Sequence, residues 1–174
     1  MKTDPLFSPV RIGSLMLPNR IVMTTVKLGY APRGDVTERH VAFYARRARA
    51  GVGLLTTEPL WVRSDGRELP TQLGVEADHR TAGLARLVDA VHAAGGRIMA
   101  HVNHAGRAAN PKLVDEGDRV SASNVGCTAN GVVPRPLATG EIAEVVEAFA
   151  DAAGRVAAAG FDALEIPFSH GYLI

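Results

Sequence analysis

Apolar and polar residues repeat along the chain in an order that predicts alternating strands and helices. Four apolar runs rich in β-branched residues predict strands over residues 20–26, 52–58, 97–104 and 161–168. Three segments with apolar residues at helical spacing predict helices over residues 35–51, 78–96 and 139–160. Strands that are apolar on both faces and separated by helices indicate an α/β protein with a parallel sheet covered by helices.

The segments between these elements contain residues typical of helix ends, turns and loops. Thr37 is a candidate N-cap for the first helix, and Gly51 follows its last apolar position, where glycine commonly ends a helix. Residues 9–17 predict a short hairpin with its turn at Gly13. Residues 105–138 form a long loop rich in Gly, Pro, Asn and Ser, and loops of that length are typically functional or disordered.

Two architectures fit this order of elements. One is a small open α/β sheet, and the other is half of a (β/α)8 barrel, whose full form takes about 250 residues. Polar side chains collect where predicted strands end, at residues 57–58, 101–104 and 170–172. Ligands bind at the C-terminal ends of the strands in either architecture. No Gly-rich phosphate loop follows the first strand, which argues against a dinucleotide-binding Rossmann domain.

Composition and charge narrow the function classes. The formal net charge of +1 and the lack of a basic block argue against nucleic-acid binding. No apolar run is long enough to span a membrane, and the N-terminus lacks the apolar core of a signal peptide. The single cysteine, Cys127, excludes an internal disulfide and a cysteine-based metal cluster within this chain, so no metal site is predicted. We expect a cytoplasmic, reducing environment.

Five segments, found in a fixed order along the chain, are more specific than the alternation of strands and helices. "LFSPVRIGSLMLPNRIVM", "GDVTERHVAFYARRARAGVGLLTTE", "HAGR", "EIAEVVEAFADAAGRVAAAGFDALEI" and "HGYLI" together resemble the old yellow enzyme family. The resemblance implies an FMN-dependent oxidoreductase with NAD(P)H as co-substrate, built on a TIM barrel. Residues 1–174 resemble the N-terminal half of that barrel, with its first four strands.

A half-barrel has an incomplete surface. Four strands on their own expose two sheet edges and a large apolar face. We therefore expect a second subunit that carries the C-terminal half-barrel, or self-association of two halves. Truncation of a longer gene product is the alternative. The resemblance implies activity only when the missing half is present.

The resemblance assigns catalytic and substrate-binding roles near the end of the chain. Tyr172 matches the proton-donating tyrosine of the family, and a phenol beside the substrate can act as a general acid. His170 matches a histidine that hydrogen-bonds the substrate carbonyl. The first member of that donor pair is here Pro167, which has no donor. Lys27 stands at a position that tunes the flavin and faces the substrate. Structural or solvent-exposed roles remain open for Tyr172, His170 and Lys27.

The resemblance also implies a set of cofactor-binding residues at the ends of the first three strands. His101 replaces a Gln that commonly contacts the flavin pyrimidine edge, and a buried structural histidine is the competing interpretation. The full predicted set is Thr24, Thr25, Val26, Lys27, Thr57, Pro59 and His101. Glu58 is a candidate structural carboxylate that pairs with an Arg, Glu165 is a candidate ion-pair partner, and Arg107 is expected to orient a loop or to meet an anionic ligand.

Three functions follow as expectations. The first is reduction of an activated C=C bond, in an enone or an enoyl or dienoyl thioester, with NAD(P)H as hydride source. The second is a flavin-free scaffold or regulatory subunit that completes a partner's barrel, because Pro167, His101 and Lys27 depart from the family pattern. The third is an amine dehydrogenase-like flavoenzyme. Flavin binding separates the second function from the other two.

Overall fold

A computed structural model describes residues 4–174 of the chain. Its strands are β1 (Val10–Ile12), β2 (Leu15–Leu17), β3 (Val22–Met23), β4 (Leu54–Trp61), β5 (Ile98–Asn103), β6 (Val120–Ser121), β7 (Arg135–Pro136) and β8 (Ala163–Glu165). Its α-helices are α1 (Glu38–Arg49), α2 (Thr81–Ala93) and α3 (Thr139–Ala158). None of the helices in this part of the chain is both long and apolar enough to cross a membrane.

The main sheet has four parallel strands in the order β3-β4-β5-β8. Each helix follows one strand and returns the chain to the start of the next, which is the repeating unit of an α/β barrel. The predicted α/β class is therefore confirmed. The hairpin of β1 and β2 pairs antiparallel ahead of the sheet, and Gly13 lies in its turn with φ +57°.

Strand lengths differ from prediction in a way that follows from position in the sheet. The central strand β4 is longer than predicted, and all eight of its residues are buried. The outer strands β3 and β8 have two and three residues, against the predicted 20–26 and 161–168. Each outer strand has one neighbour among the described residues, so fewer of its backbone groups can pair.

The core lies between the sheet and its helices. Leu60, Val102 and Val156 belong to one buried cluster, and Leu55 and Leu87 belong to a second. The central strand β4 is buried on both of its faces. Large apolar side chains are exposed on or beside the outer strands instead, at Val22, Val26, Leu164 and Phe168. The sheet is thus packed at its centre and exposed at its two sides.

A buried hydrogen-bonded group, which we call the closed cluster, fastens α1 to β4. It consists of His40, Tyr44 and Glu58, all of them buried. The backbone N–H of Thr37 donates to His40 Nδ1 (3.0 Å), so His40 Nε2 carries the hydrogen that it donates to Glu58 Oε1 (2.7 Å). The backbone N–H of Glu58 donates to the Tyr44 hydroxyl (2.7 Å). The partner of Glu58 is therefore a histidine and not the expected arginine.

The long loop 105–138 is structured. It contains short 3-10 turns at Gly106–Ala108 and Glu116–Asp118, and β6 and β7 pair within and at the end of it. A small apolar cluster of Ala105, Ala109 and Val114 packs beneath it, and Tyr172 contacts this cluster. The loop therefore supports the end of the chain where the predicted catalytic residues lie.

Candidate active site

A cavity of about 140 Å³ lies at the C-terminal ends of the parallel strands. It is lined by Thr25, Lys27, Pro59, His101, His170 and Tyr172. All six were predicted as site residues, although they come from four separate parts of the chain. Parallel strands end at the same edge of a sheet, so the fold gathers residues that are distant in sequence.

His101 presents one ring nitrogen to this cavity. The residue is 2% exposed, and its Nδ1 lies 2.9 Å from Glu165 Oε1. Since an ionised carboxylate only accepts hydrogen bonds, Nδ1 is the protonated nitrogen of the neutral ring. Within residues 4–174, Nε2 makes no hydrogen bond with the protein. Glu165, which was expected as an ion-pair partner, is here the hydrogen-bond acceptor that orients the His101 ring.

Thr57 connects the first three strands of the sheet and does not line the cavity. Its hydroxyl accepts a hydrogen bond from the backbone N–H of His101 (2.9 Å), and its carbonyl accepts one from Thr25 Oγ1 (2.8 Å). The whole residue is buried, so its side chain positions Thr25 and His101. Thr24 and Val26 are exposed and also lie outside the cavity lining.

The segment that carries His170 and Tyr172 has an unusual backbone. His170 and Gly171 are both in the left-handed region, with φ +64° and +67°. For a histidine this conformation costs about 1–2 kcal/mol, so the surrounding structure must hold it. Arg107 does so in part, because its Nε donates to the carbonyl of Gly171 (3.0 Å). Arg107 therefore orients this segment, as expected.

The "HAGR" and "HGYL" motifs pack directly against each other. The backbone N–H of Leu173 donates to the carbonyl of His104 (3.2 Å). A Cβ atom at Gly106, where φ is +54°, would lie 2.8 Å from the backbone Cα of Leu173. Glycine is needed there for both its conformation and its size. The loop after β5 therefore fixes the position of Tyr172 at the cavity.

His170 stands at the cavity mouth. Its side chain is exposed, and its ring centroid lies 5.7 Å from that of Tyr172. Ser169 Oγ lies 2.9 Å from His170 Nδ1. Pro167 is buried and does not line the cavity. On this side of the cavity, His170 is therefore the available donor for a substrate oxygen.

Lys27, Glu68 and Tyr172 form a second group of interacting side chains, which we call the open cluster. Lys27 Nζ donates to Glu68 Oε1 (2.6 Å) and lies 5.9 Å from the centroid of the Tyr172 ring. Burial acts to lower the pKa of Lys27, but the hydrogen bond and charge of Glu68 outweigh it, and the pKa is raised. Lys27 therefore remains cationic, although Glu68 balances its charge.

Burial and the negative charge of Glu68 raise the pKa of Tyr172, while the positive charge of Lys27 opposes them. The phenol is therefore protonated at neutral pH, as a proton donor must be. The sequence prediction did not include Glu68. It lies in the loop between β4 and α2, and no pattern in that loop indicates which carboxylate reaches the site.

Comparisons with known proteins agree with these features. A family model described as "NADH:flavin oxidoreductase / NADH oxidase family" matches residues 5–174. The chain is 40% identical over 171 residues to an NADH oxidase of Thermoanaerobacter brockii, covering 97% of this chain and 26% of the relative. It is 38% identical over 164 residues to an NADH:acrylate oxidoreductase of Vibrio harveyi, covering 93% of this chain and 16% of the relative.

The fold matches a solved structure over nearly the full chain. Morphinone reductase superposes with a TM-score of 0.88 at 29% identity, covering 97% of this chain and 49% of that one. The chain thus spans about half the length of this structure and a smaller part of the two relatives above. This match agrees with an N-terminal half of a barrel, as the motifs predicted.

Proposed function

The chain belongs to the NADH:flavin oxidoreductase / NADH oxidase family, and from that premise we propose that it is part of an FMN-dependent enzyme that reduces an activated C=C bond with NAD(P)H. The observation that carries the proposal is the cavity in which His101, His170 and Tyr172 meet. This reaction needs three things from the protein: a group that hydrogen-bonds the flavin, here His101; one that binds the substrate carbonyl, here His170; and a proton donor, here Tyr172.

The cavity residues fit a flavin. Nε2 of His101 is a free acceptor in a nearly buried side chain, suited to a ring N–H of the flavin pyrimidine edge. Pro59 and Thr25 form the adjoining wall, and the exposed Val26 lies next to Thr25 in the chain. When bound, reduced FMN supplies the hydride.

The chain's own residues supply the rest of the chemistry. His170 donates a hydrogen bond to the carbonyl that activates the alkene, and this bond strengthens as negative charge develops on the oxygen. Tyr172 donates its phenolic proton to the carbon next to that carbonyl. The Lys27–Glu68 pair is close to neutral overall, so it does not act as a fixed cation on the flavin.

The substrate class follows from the donor set. Tyr172 is the feature that favours alkene reduction, because it provides the second hydrogen after hydride transfer. The Vibrio harveyi relative is named for acrylate, which is itself an activated alkene. With a single donor at His170, we propose enoyl or dienoyl thioesters or enones as substrates.

The proposed enzyme also needs a cover for the apolar surface that residues 4–174 leave exposed. An apolar groove of about 470 Å³ runs between α3 and residues 166–174. Its lining includes Ile142, Val146, Phe149, Ile166 and Phe168. We propose that further β/α units, in the same polypeptide or in a second subunit, cover this groove and the edges of the sheet. Native mass spectrometry of protein purified from its host would show a species larger than 174 residues; a stable, well-folded monomer of this chain alone would contradict it.

A turnover assay tests the function. The native assembly is incubated anaerobically with NADH or NADPH and with cyclohexenone, a crotonyl thioester or a dienoyl thioester. The proposal predicts that nicotinamide oxidation and loss of the conjugated double bond proceed in equal amounts. A preparation that binds no FMN would contradict it and support a scaffold. Flavin reduction by amines without NAD(P)H would contradict it in favour of an amine dehydrogenase.

A further inference from the structure

We propose that Glu68 is a positioning residue that holds the Lys27 ammonium beside Tyr172, so that Lys27 returns to Tyr172 the proton given to the substrate. The inference rests on the proposed function, because it assumes that Tyr172 is the proton donor. It adds a residue from the loop between β4 and α2 to the site. It also gives Lys27 a task other than contact with the flavin.

The geometry places Glu68 firmly. Its backbone N–H donates to Gln72 Oε1 (2.8 Å), and its carbonyl accepts from Asn110 Nδ2 (3.0 Å). Gln72 is buried and also donates to the carbonyl of Pro59 (3.0 Å), which lines the cavity. Two long-range bonds therefore fix Glu68 relative to the cavity wall.

The exposure of the pair matches a proton relay. The side chain of Glu68 is 9% exposed, whereas that of Lys27 is 42% exposed. Glu68 Oε2 is buried and has no hydrogen-bond partner among residues 4–174. The carboxylate is therefore a fixed internal anchor, and the ammonium that it holds contacts both the cavity and solvent.

The other polar groups around Tyr172 have roles of their own. His170 lies beside its ring, with Nδ1 near Ser169 Oγ. Arg107 lies behind Gly171 and donates to its carbonyl. His101 lines the same cavity and is paired with Glu165. Lys27 is therefore the cation that can exchange a proton with the phenol and with water.

The proton transfer balances without a further reactant. The O–H bond of Tyr172 breaks as a C–H bond forms on the substrate, which leaves a phenolate. An N–H bond of the Lys27 ammonium then breaks as the O–H bond re-forms, and the neutral amine takes a proton from water. Tyrosine and lysine have ordinary pKa values near 10, so the transfer is close to balanced in energy.

Charge on the two partners acts on the phenol in opposite directions. Glu68 raises the pKa of Tyr172, and Lys27 lowers it. Glu68→Gln should therefore make the phenol more acidic, and Lys27→Met should make it less acidic. Shifts of opposite sign would show that both charges lie close enough to act on the phenol.

Fluorine NMR of a difluorotyrosine incorporated at position 172 measures the pKa of that phenol directly. Fluorination brings its titration toward neutral pH, where the protein is stable enough to study. The protein is the native assembly, prepared as wild type, Glu68→Gln, Lys27→Met and the control Glu144→Gln. Glu144 is largely exposed on α3. We expect a lower midpoint in Glu68→Gln, a higher one in Lys27→Met and an unchanged one in Glu144→Gln. Equal midpoints in all four, or shifts of one sign, would overturn the proposal.

Kinetics test the return of the proton. In Lys27→Met, steady-state turnover at neutral pH should fall by about tenfold or more, and by clearly more than the rate of a single turnover from pre-reduced enzyme. Equal losses in both would overturn the relay. The titration needs neither flavin nor substrate, so a chain that shows the opposite shifts but no alkene reduction would contradict the proposed function and not the positioning role.

Discussion

Two carboxylates, Glu58 in β4 and Glu68 in the loop after it, each hold a nitrogen-bearing side chain, with different consequences. Glu58 in the closed cluster pairs with His40, and both side chains are fully buried. Glu68 in the open cluster pairs with Lys27, which is partly exposed at the cavity. The first pair joins a helix to the sheet, whereas the second presents a charge to a site. The two glutamates are the same residue type, so their different roles come from their distance to the cavity.

The difference comes from where each carboxylate is anchored. Glu58 lies in the fully buried strand β4, where His40 of α1 donates to its Oε1 and the Tyr44 hydroxyl accepts from its backbone N–H. Glu68 lies in a loop, and polar side chains from two other loop positions hold its backbone. Buried pairs of the first kind are costly to break, whereas pairs near solvent contribute little to stability.

The largest predicted effect compares the tyrosines of the two clusters. Tyr172→Phe removes the proposed general acid and should slow alkene reduction by roughly 10²–10⁴-fold. Flavin reduction by NAD(P)H should be unchanged, because it needs no proton from Tyr172. Stopped-flow absorbance separates these two half-reactions.

Tyr44→Phe is the matched control, because Tyr44 belongs to the closed cluster. It should leave alkene reduction close to the wild-type rate. A similar loss in both variants would contradict the separation between a structural and a functional cluster.

The next effect is on stability. Glu58→Ala leaves the Nε2–H of His40 buried without an acceptor and should lower the free energy of unfolding by about 1–3 kcal/mol. Glu68→Ala should cost at most about 1 kcal/mol, because solvent screens the pair that it breaks. Urea unfolding followed by circular dichroism measures both, and equal losses would remove the basis of the comparison.

The smallest effect is the alkaline dependence of stability. Burial is the main cause that raises the pKa of Tyr44 above its usual value of about 10. The folded chain therefore keeps a proton that the unfolded chain releases, so stability is intact below about pH 10 and falls as pH rises, by roughly 1.4 kcal/mol per pH unit for this group. Tyr44→Phe should show a correspondingly weaker alkaline loss. Identical slopes in urea unfolding at two alkaline pH values would contradict this.

The hydrophobic pattern predicted much of the fold, since strand and helix periods, with Gly13 and Gly51 at turns, depend on local sequence. It could not predict that β3 would shorten and β4 lengthen, because these lengths depend on how many neighbours a strand has. The family motifs indicated the six cavity residues. The place of Glu68 depends on a long-range hydrogen bond from Asn110 to its carbonyl, which no local pattern encodes.

The direction of the Thr57 side chain is likewise not predictable from local sequence. The resemblance implies cofactor contact through the backbone at this strand end, which stays a prediction, and it says nothing of where the side chain points. The register of β4 shifts between Thr56 and Pro59, and within that shift the hydroxyl of Thr57 points to the backbone of His101. A bulge of this kind is set by pairing between strands and is not visible in one strand's sequence.

The central claim is that the cavity beside His101 holds FMN, and a binding titration tests it most directly. FMN is added to the apo form of the native assembly, and quenching of flavin fluorescence is recorded for wild type, His101→Ala and His92→Ala. His92 is the matched control, because it also pairs with a carboxylate, Asp162 (2.8 Å), but lies outside the cavity lining. The account predicts that His101→Ala weakens FMN binding by roughly five- to tenfold, the size of one lost hydrogen bond, and that His92→Ala binds like wild type. Equal affinity in all three proteins, or no binding by wild type, would contradict it.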